Sequence, residues 1–140
     1  MSKRILAVVG SPRKNGNTHI LVSKIAEGAA SAGAAVDELL LGGLSISECD
    51  GCHACWKGRE CSKGDDMREI YERIIRSDVI IFGTPVYWYG PTALMKIKLL
   101  GQIIVPGVGE KGAIRDKPER LQEAHNLGRT LAQDALPSQA

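Results

Sequence analysis

The chain has 140 residues and a formal charge of +2, from 18 Lys and Arg against 16 Asp and Glu; this fits one domain and offers no basic stripe for nucleic acid. Hydrophobic residues at 44% and charged residues at 24% are ordinary globular values, which excludes a disordered chain. No apolar run approaches the roughly 20 residues that span a bilayer, and the apolar run after Arg4 is too short for a signal peptide, so no membrane partner is expected and the chain reads as cytoplasmic.

Residues 5–9 are all apolar and are bounded by Lys3-Arg4 and Gly10-Ser11-Pro12, which predicts a strand buried on both faces. Asn15-Gly16-Asn17 has loop chemistry, and Thr18 is the predicted cap of a helix carrying Ile20, Leu21, Ile25 and Ala29 at helical spacing. Residues 36–41 read as a second strand, ended by Gly42-Gly43. Residues 45–64 lack periodicity and hold all four cysteines, so they read as a loop. Asp66 and Glu69 have capping-box spacing ahead of Met67, Ile70 and Ile74 on one helix face. Residues 79–82 read as a third buried strand, Pro91-Thr92 open another helix, and residues 103–105 read as a fourth short strand. Asp116 and Glu119 repeat the capping-box spacing, and the last helix carries Leu121, Ala124, Gly128, Leu131 and Ala135 on one face. The alternation implies an α/β domain over residues 1–140, with a parallel sheet and helices on both faces. In such sheets ligands bind beyond the carboxyl ends of the strands, where residues 10–18 and 84–92 fall.

The segment Gly10-Ser11-Pro12-Arg13-Lys14-Asn15-Gly16-Asn17-Thr18 joins a buried strand to a helix start. A helix N-terminus offers unpaired N–H groups and the positive end of a dipole, which favour a phosphate. Ser11 and Thr18 add hydroxyls, Asn17 an amide and Arg13 a charge, and Gly16 lets the backbone approach. The pattern is neither G-x-G-x-x-G nor a loop ending in Gly-Lys-Ser/Thr, so an NTPase is not expected. The alternative is a polar turn capped by Thr18. The stretch resembles the phosphate-binding loop of the NADPH-dependent FMN reductase-like branch of flavodoxin-like proteins. That resemblance implies that Ser11, Arg13, Asn15, Gly16, Asn17 and Thr18 hold the phosphate of FMN.

Three of the six aromatic residues fall together in Thr84-Pro85-Val86-Tyr87-Trp88-Tyr89. A flavin ring needs a flat apolar wall and backbone hydrogen-bonding groups at its polar edge. Pro85, Val86, Tyr87 and Trp88 suit that wall; the alternative is aromatic packing on the core or on another subunit. This segment also resembles the same family, in which it flanks the isoalloxazine.

Cys49, Cys52, Cys55 and Cys61 place four thiols within thirteen residues. Thiolates favour zinc, iron–sulfur clusters or copper(I). Structural zinc generally uses two separated C-x2-C pairs, whereas three cysteines at successive x2 spacings suit one corner of a [4Fe–4S] cluster. Reduced, unligated cysteines and zinc are the alternatives. The run C-D-G-C-H-A-C-W-K-G-R-E-C resembles the compact motif of iron–sulfur flavoproteins within the same family, which implies that these four residues ligate one [4Fe–4S] cluster.

The resemblance spans about the first 100 residues and implies a flavodoxin-like three-layer αβα fold with strand order 2-1-3-4-5. One strand is expected to be missing, with an internal segment absent near residues 99–101. The expected function is an FMN-dependent redox protein exchanging electrons with a [4Fe–4S] cluster. The donor or acceptor would be a ferredoxin-like protein or a nicotinamide cofactor, NAD(P)H, and the assembly a homodimer or homotetramer. The alternatives are an NAD(P)H-dependent FMN or quinone reductase without a cluster, and a non-enzymatic zinc-knuckle binding module. No side chain is expected as a catalytic acid or base, because the cofactors carry the chemistry.

Overall fold

The computed structural model describes residues 2–85, 103 and 105–133. Strand β1 (Arg4–Val9) is followed by helix α1 (Asn17–Ser31), strand β2 (Ala35–Leu40), helix α2 (Met67–Ile75), strand β3 (Val79–Gly83) and helix α3 (Pro118–Gln133). Short 3-10 turns lie at Cys55–Lys57 and Ala113–Asp116. The strands form a parallel sheet of order β2-β1-β3, the beginning of the expected 2-1-3-4-5 series. Ile5 of the central strand pairs with Val36 on one side and Val79 on the other.

The apolar run of β1 is buried on both faces because two separate cores need it. Ile5, Ala7 and Val9 pack with Val22, Ile25 and Ala29 of α1 and Ala124 and Leu131 of α3. Leu6 and Val8 pack on the opposite face with Leu39 and Ile70. The chain leaves β1 in one direction through α1 and returns past it through α2. Right-handed crossovers therefore place the two helices on opposite faces, giving the three layers. No helix among the described residues is long and apolar enough to cross a membrane.

Helices α1 and α3 touch backbone to backbone. A Cβ on Gly28 would overlap the carbonyl oxygen of His125 and stand 2.7 Å from its carbonyl carbon. A Cβ on Gly128 would likewise overlap the oxygen of Ile25 and stand 2.8 Å from Ala29 N. Each helix thus presents a glycine where the other's backbone passes.

Several local expectations change. Helix α1 is capped by Gly16, with no side-chain capping bond; Thr18 lies inside the helix, because the turn 13–16 closes just ahead of Asn17. Helix α2 has Asp66 at its cap, but the Asp66 carboxylate accepts the Ser45 N–H instead of closing a capping box. Helix α3 begins at Pro118, a residue suited to a first helical position, and Asp116 ends the preceding 3-10 turn. The fourth strand is not formed at Ile103 or Val105, which have irregular backbone. Ile103 instead packs its side chain against the α1–α3 core. Residue 104 and the helix expected after Pro91 lie outside the described residues.

Candidate functional site

The carboxyl ends of β1 and β3 lie side by side. Gly10 N–H donates to Gly83 O at 2.8 Å, and a Cβ at Gly10 would stand 3.2 Å from that oxygen. Beyond this point the two loops diverge, the first toward α1 and the second toward Thr84 and Pro85. This is where the strand order reverses, the place where open α/β sheets bind ligands.

The first loop is a built turn. Ser11 is 7% exposed, and its Oγ accepts the Arg13 N–H at 3.3 Å. Gly16 N–H donates to Arg13 O at 2.9 Å. Asn15 takes a left-handed conformation, φ 58°, which asparagine tolerates better than most residues. A Cβ at Gly16 would stand 2.9 Å from Arg13 O, so the turn closes this tightly only on glycine. The cap of α1 has no side-chain oxygen, and the first N–H groups of a helix have no intrahelical acceptor. Positive potential and free donors thus face the sheet end, with the exposed Arg13 and Lys14 beside them. Thr18 sits above β3: a Cβ at Gly83 would stand 3.1 Å from its methyl group.

Asn17 is placed in this turn but its side chain faces elsewhere. Its Nδ2 donates to Val108 O and Glu110 O, both at 2.7 Å, and its Oδ1 accepts the Ile114 N–H at 3.1 Å. All three polar groups of the amide hold the segment that leads into α3. Of the aromatic segment, Pro85 is half-buried and its carbonyl accepts the Thr84 hydroxyl at 3.2 Å. Val86, Tyr87 and Trp88 lie outside the described residues.

Three residues beside the turn had no role in the sequence reading. His19 Nδ1 accepts the Asn15 N–H at 3.0 Å, His19 Nε2 meets Glu38 Oε1 at 2.8 Å, and Ser23 Oγ donates to Glu38 Oε2 at 3.0 Å. One signal was present: Glu38 is one of two adjacent carboxylates, with Asp37, in a short strand whose other residues are apolar, and a half-buried carboxylate needs a partner.

The cysteine loop leaves the end of β2 and returns to α2. Its base is stitched by two carboxylates. Asp65 accepts the N–H groups of Ser47 at 2.7 Å and Met67 at 3.1 Å, and Asp66 accepts that of Ser45 at 2.7 Å. The Ser47 N–H is the main cause that holds the Asp65 carboxyl below its ordinary range. A carboxylate with a depressed folded pKa stabilises above its unfolded pKa of about 4 and loses that contribution as pH falls through the folded value. Acidification from pH 6 to pH 3 is therefore expected to speed amide exchange at Ser47, corrected for intrinsic rates; Asp65→Ala should show the faster exchange already at pH 6.

Cys49, Cys52, Cys55 and Cys61 are all exposed. Cys52 Sγ lies 3.2 Å from Ser62 Oγ. Asp50 pairs with Lys63 at 2.9 Å and accepts the Cys52 N–H at 3.1 Å, so both flanks of the loop are joined. Gly51, His53 and Gly58 have positive φ and turn the chain between the thiols. Among the described residues no three His, Cys, Asp or Glu side chains converge as a metal-binding group. The donor chemistry, four thiols on one exposed loop with a pinned base, suits an iron–sulfur cluster; the sulfurs are not drawn together.

The sequence profile described as NADPH-dependent FMN reductase matches residues 3–99. That match ends ahead of α3. An iron-sulfur flavoprotein of Archaeoglobus fulgidus is 39% identical over 93 residues, 66% of this chain and 45% of the relative. An iron-sulfur flavoprotein of Methanocaldococcus jannaschii is 33% identical over 94 residues, 67% of this chain and 49% of the relative. The chain thus spans about half the length of the curated relatives it matches. No solved structure matches it.

Proposed function

Starting from the premise that the chain belongs to the NADPH-dependent FMN reductase family, we propose that it is an FMN-dependent redox protein whose flavin exchanges electrons with a [4Fe–4S] cluster. The observation that carries the flavin half is the turn 10–16: it stands where the strand order reverses and feeds a helix N-terminus that has no side-chain cap. FMN supplies a centre able to take one or two electrons. Ser11, Arg13, Asn15, Gly16 and Thr18 would receive the phosphate, with the first N–H groups of α1 as donors. Asn17 contributes backbone, its amide being engaged with residues 108, 110 and 114. Pro85, Val86, Tyr87 and Trp88 would wall the ring and exclude water from one of its faces.

Cys49, Cys52, Cys55 and Cys61 would hold the cluster, which supplies one-electron chemistry. That assignment is supported by their spacing, by the donor set and by the names of the relatives. The electron partner is a ferredoxin-like protein or a nicotinamide cofactor, NAD(P)H, the assembly a homodimer or homotetramer, and the compartment the cytoplasm.

Titration of the purified protein with FMN is expected to quench flavin fluorescence. At about 100-fold excess over Kd, it should raise the melting temperature by about 10 °C. No quenching and no thermal shift at saturating FMN would overturn the flavin reading. A second reading is supported by the description of the matching profile, NADPH-dependent FMN reductase: an NAD(P)H-dependent FMN or quinone reductase without a cluster. Bleaching of bound flavin by NADPH within minutes, in protein free of iron, would select it. One equivalent of zinc and no flavin would select a zinc-knuckle binding module instead.

A further inference from the structure

The turn before α1 is held from behind by a short relay. Asn15 stays in its left-handed conformation while its N–H donates to His19 Nδ1 at 3.0 Å. A ring nitrogen that accepts a hydrogen bond is unprotonated, so the imidazole proton sits on Nε2. From there it is donated to Glu38 Oε1 at 2.8 Å. Ser23 Oγ holds the other Glu38 oxygen at 3.0 Å. The His19 side chain is 12% exposed and that of Glu38 28%, so the His19–Glu38 pair is partly buried, while the Asn15 end of the relay is exposed. Glu38 belongs to β2 and His19 and Ser23 to α1. The turn is thereby braced on two rigid elements at once.

We propose that His19, oriented by Glu38 and Ser23, is a positioning residue that fixes the Asn15–Gly16 turn in the shape that receives a phosphate, and so sets the preference for FMN over riboflavin. The proposal rests on the reading of this turn as the seat of the flavin phosphate. Its physical content is narrow. The tautomer that Glu38 selects leaves a bare Nδ1 for Asn15. Without that acceptor the Asn15 N–H must turn to water, the turn loses its tie to α1 and β2, and the first donors of α1 are no longer held in register with the loop. A phosphate needs several donors aimed at one point. Riboflavin has no phosphate and does not sense the change.

Two variants separate this role from general support of the fold. Asparagine places Oδ1 near the position of Nδ1 and keeps an acceptor for Asn15. Glutamine reaches toward Glu38, as Nε2 does, but has no acceptor at the Nδ1 position. Dissociation constants for FMN and riboflavin are measured by fluorescence on wild type, His19→Asn and His19→Gln. Melting temperatures are recorded in parallel. Wild type should prefer FMN, H19N should stay within about threefold of that preference, and H19Q should lose about tenfold of it with riboflavin binding unchanged. Equal preferences in H19Q and wild type would overturn the proposal, as would an H19N variant that falls as far as H19Q. A wild-type protein that binds riboflavin as tightly as FMN would instead overturn the phosphate-seat reading beneath it.

Discussion

Gly128→Val is expected to destabilise the protein by about 3 kcal/mol, at the upper end of what overpacking costs. The added atoms meet backbone, not the movable end of a side chain: the Ile25 carbonyl group and Ala29 N line the space. Backbone in the middle of a helix cannot rotate away, so the helices must separate. That opens the seam where Ala29 and Ala124, both fully buried, and Leu131 pack. Gly109→Ala is the control, because nothing lies within 4 Å of a Cβ there; it should stay within about 0.5 kcal/mol of wild type. Urea unfolding followed by circular dichroism measures both. A Gly128→Val variant as stable as the control would mean that the two helices do not cross this closely.

The second large effect is expected at the thiols. Protein purified without oxygen should carry about four irons per chain together with flavin, and Cys55→Ser should carry less than one while keeping its FMN. Cys55 is the informative position because it opens the 3-10 turn Cys55–Lys57 in mid-loop, away from the stitched base at Asp65 and Asp66. Its removal therefore leaves the frame of the loop intact. Ligation energy can gather side chains that do not converge without metal, and the positive-φ residues Gly51, His53 and Gly58 are the places where the backbone can bend to allow it. Iron and flavin quantified on the same sample decide the matter. Iron absent from the wild type would remove the cluster from the proposed function and leave the flavin half standing.

Much of the sheet was legible in the sequence because its signal is local. The run 5–9 has no polar residue, since β1 is covered on both faces, and such a run has few other uses. The inward face of the last helix was legible too: Ala124, Gly128 and Leu131 are buried as their spacing implied. Ile103 and Val105 were not, because so short an apolar run suits a strand and an irregular segment equally. The cap of α1 was misread for a related reason: Thr18 has the right chemistry, but the Gly16–Arg13 bond sets where the helix can begin.

The site was harder to read where its partners are remote. The groups that satisfy the Asn17 amide lie 91 to 97 positions further along the chain, and no spacing rule connects them. The Asn15–His19–Glu38–Ser23 relay crosses from a turn to a helix to a strand, so its members share no period. The donors in Gly10 to Thr18 pointed to a phosphate seat over a plain polar turn, and the turn lies at the carboxyl end of β1, where β1 and β3 part.

The engaged amide of Asn17 would couple any anion that recruits this side chain to the arm formed by residues 108–114. An amide with both hydrogens and its oxygen engaged cannot swing toward a bound anion without releasing Val108, Glu110 or Ile114. A ligand that recruits that side chain must therefore loosen the arm. By reciprocity, anything that tightens the arm must weaken that ligand by the same factor. A ligand satisfied by the backbone donors alone leaves the arm undisturbed.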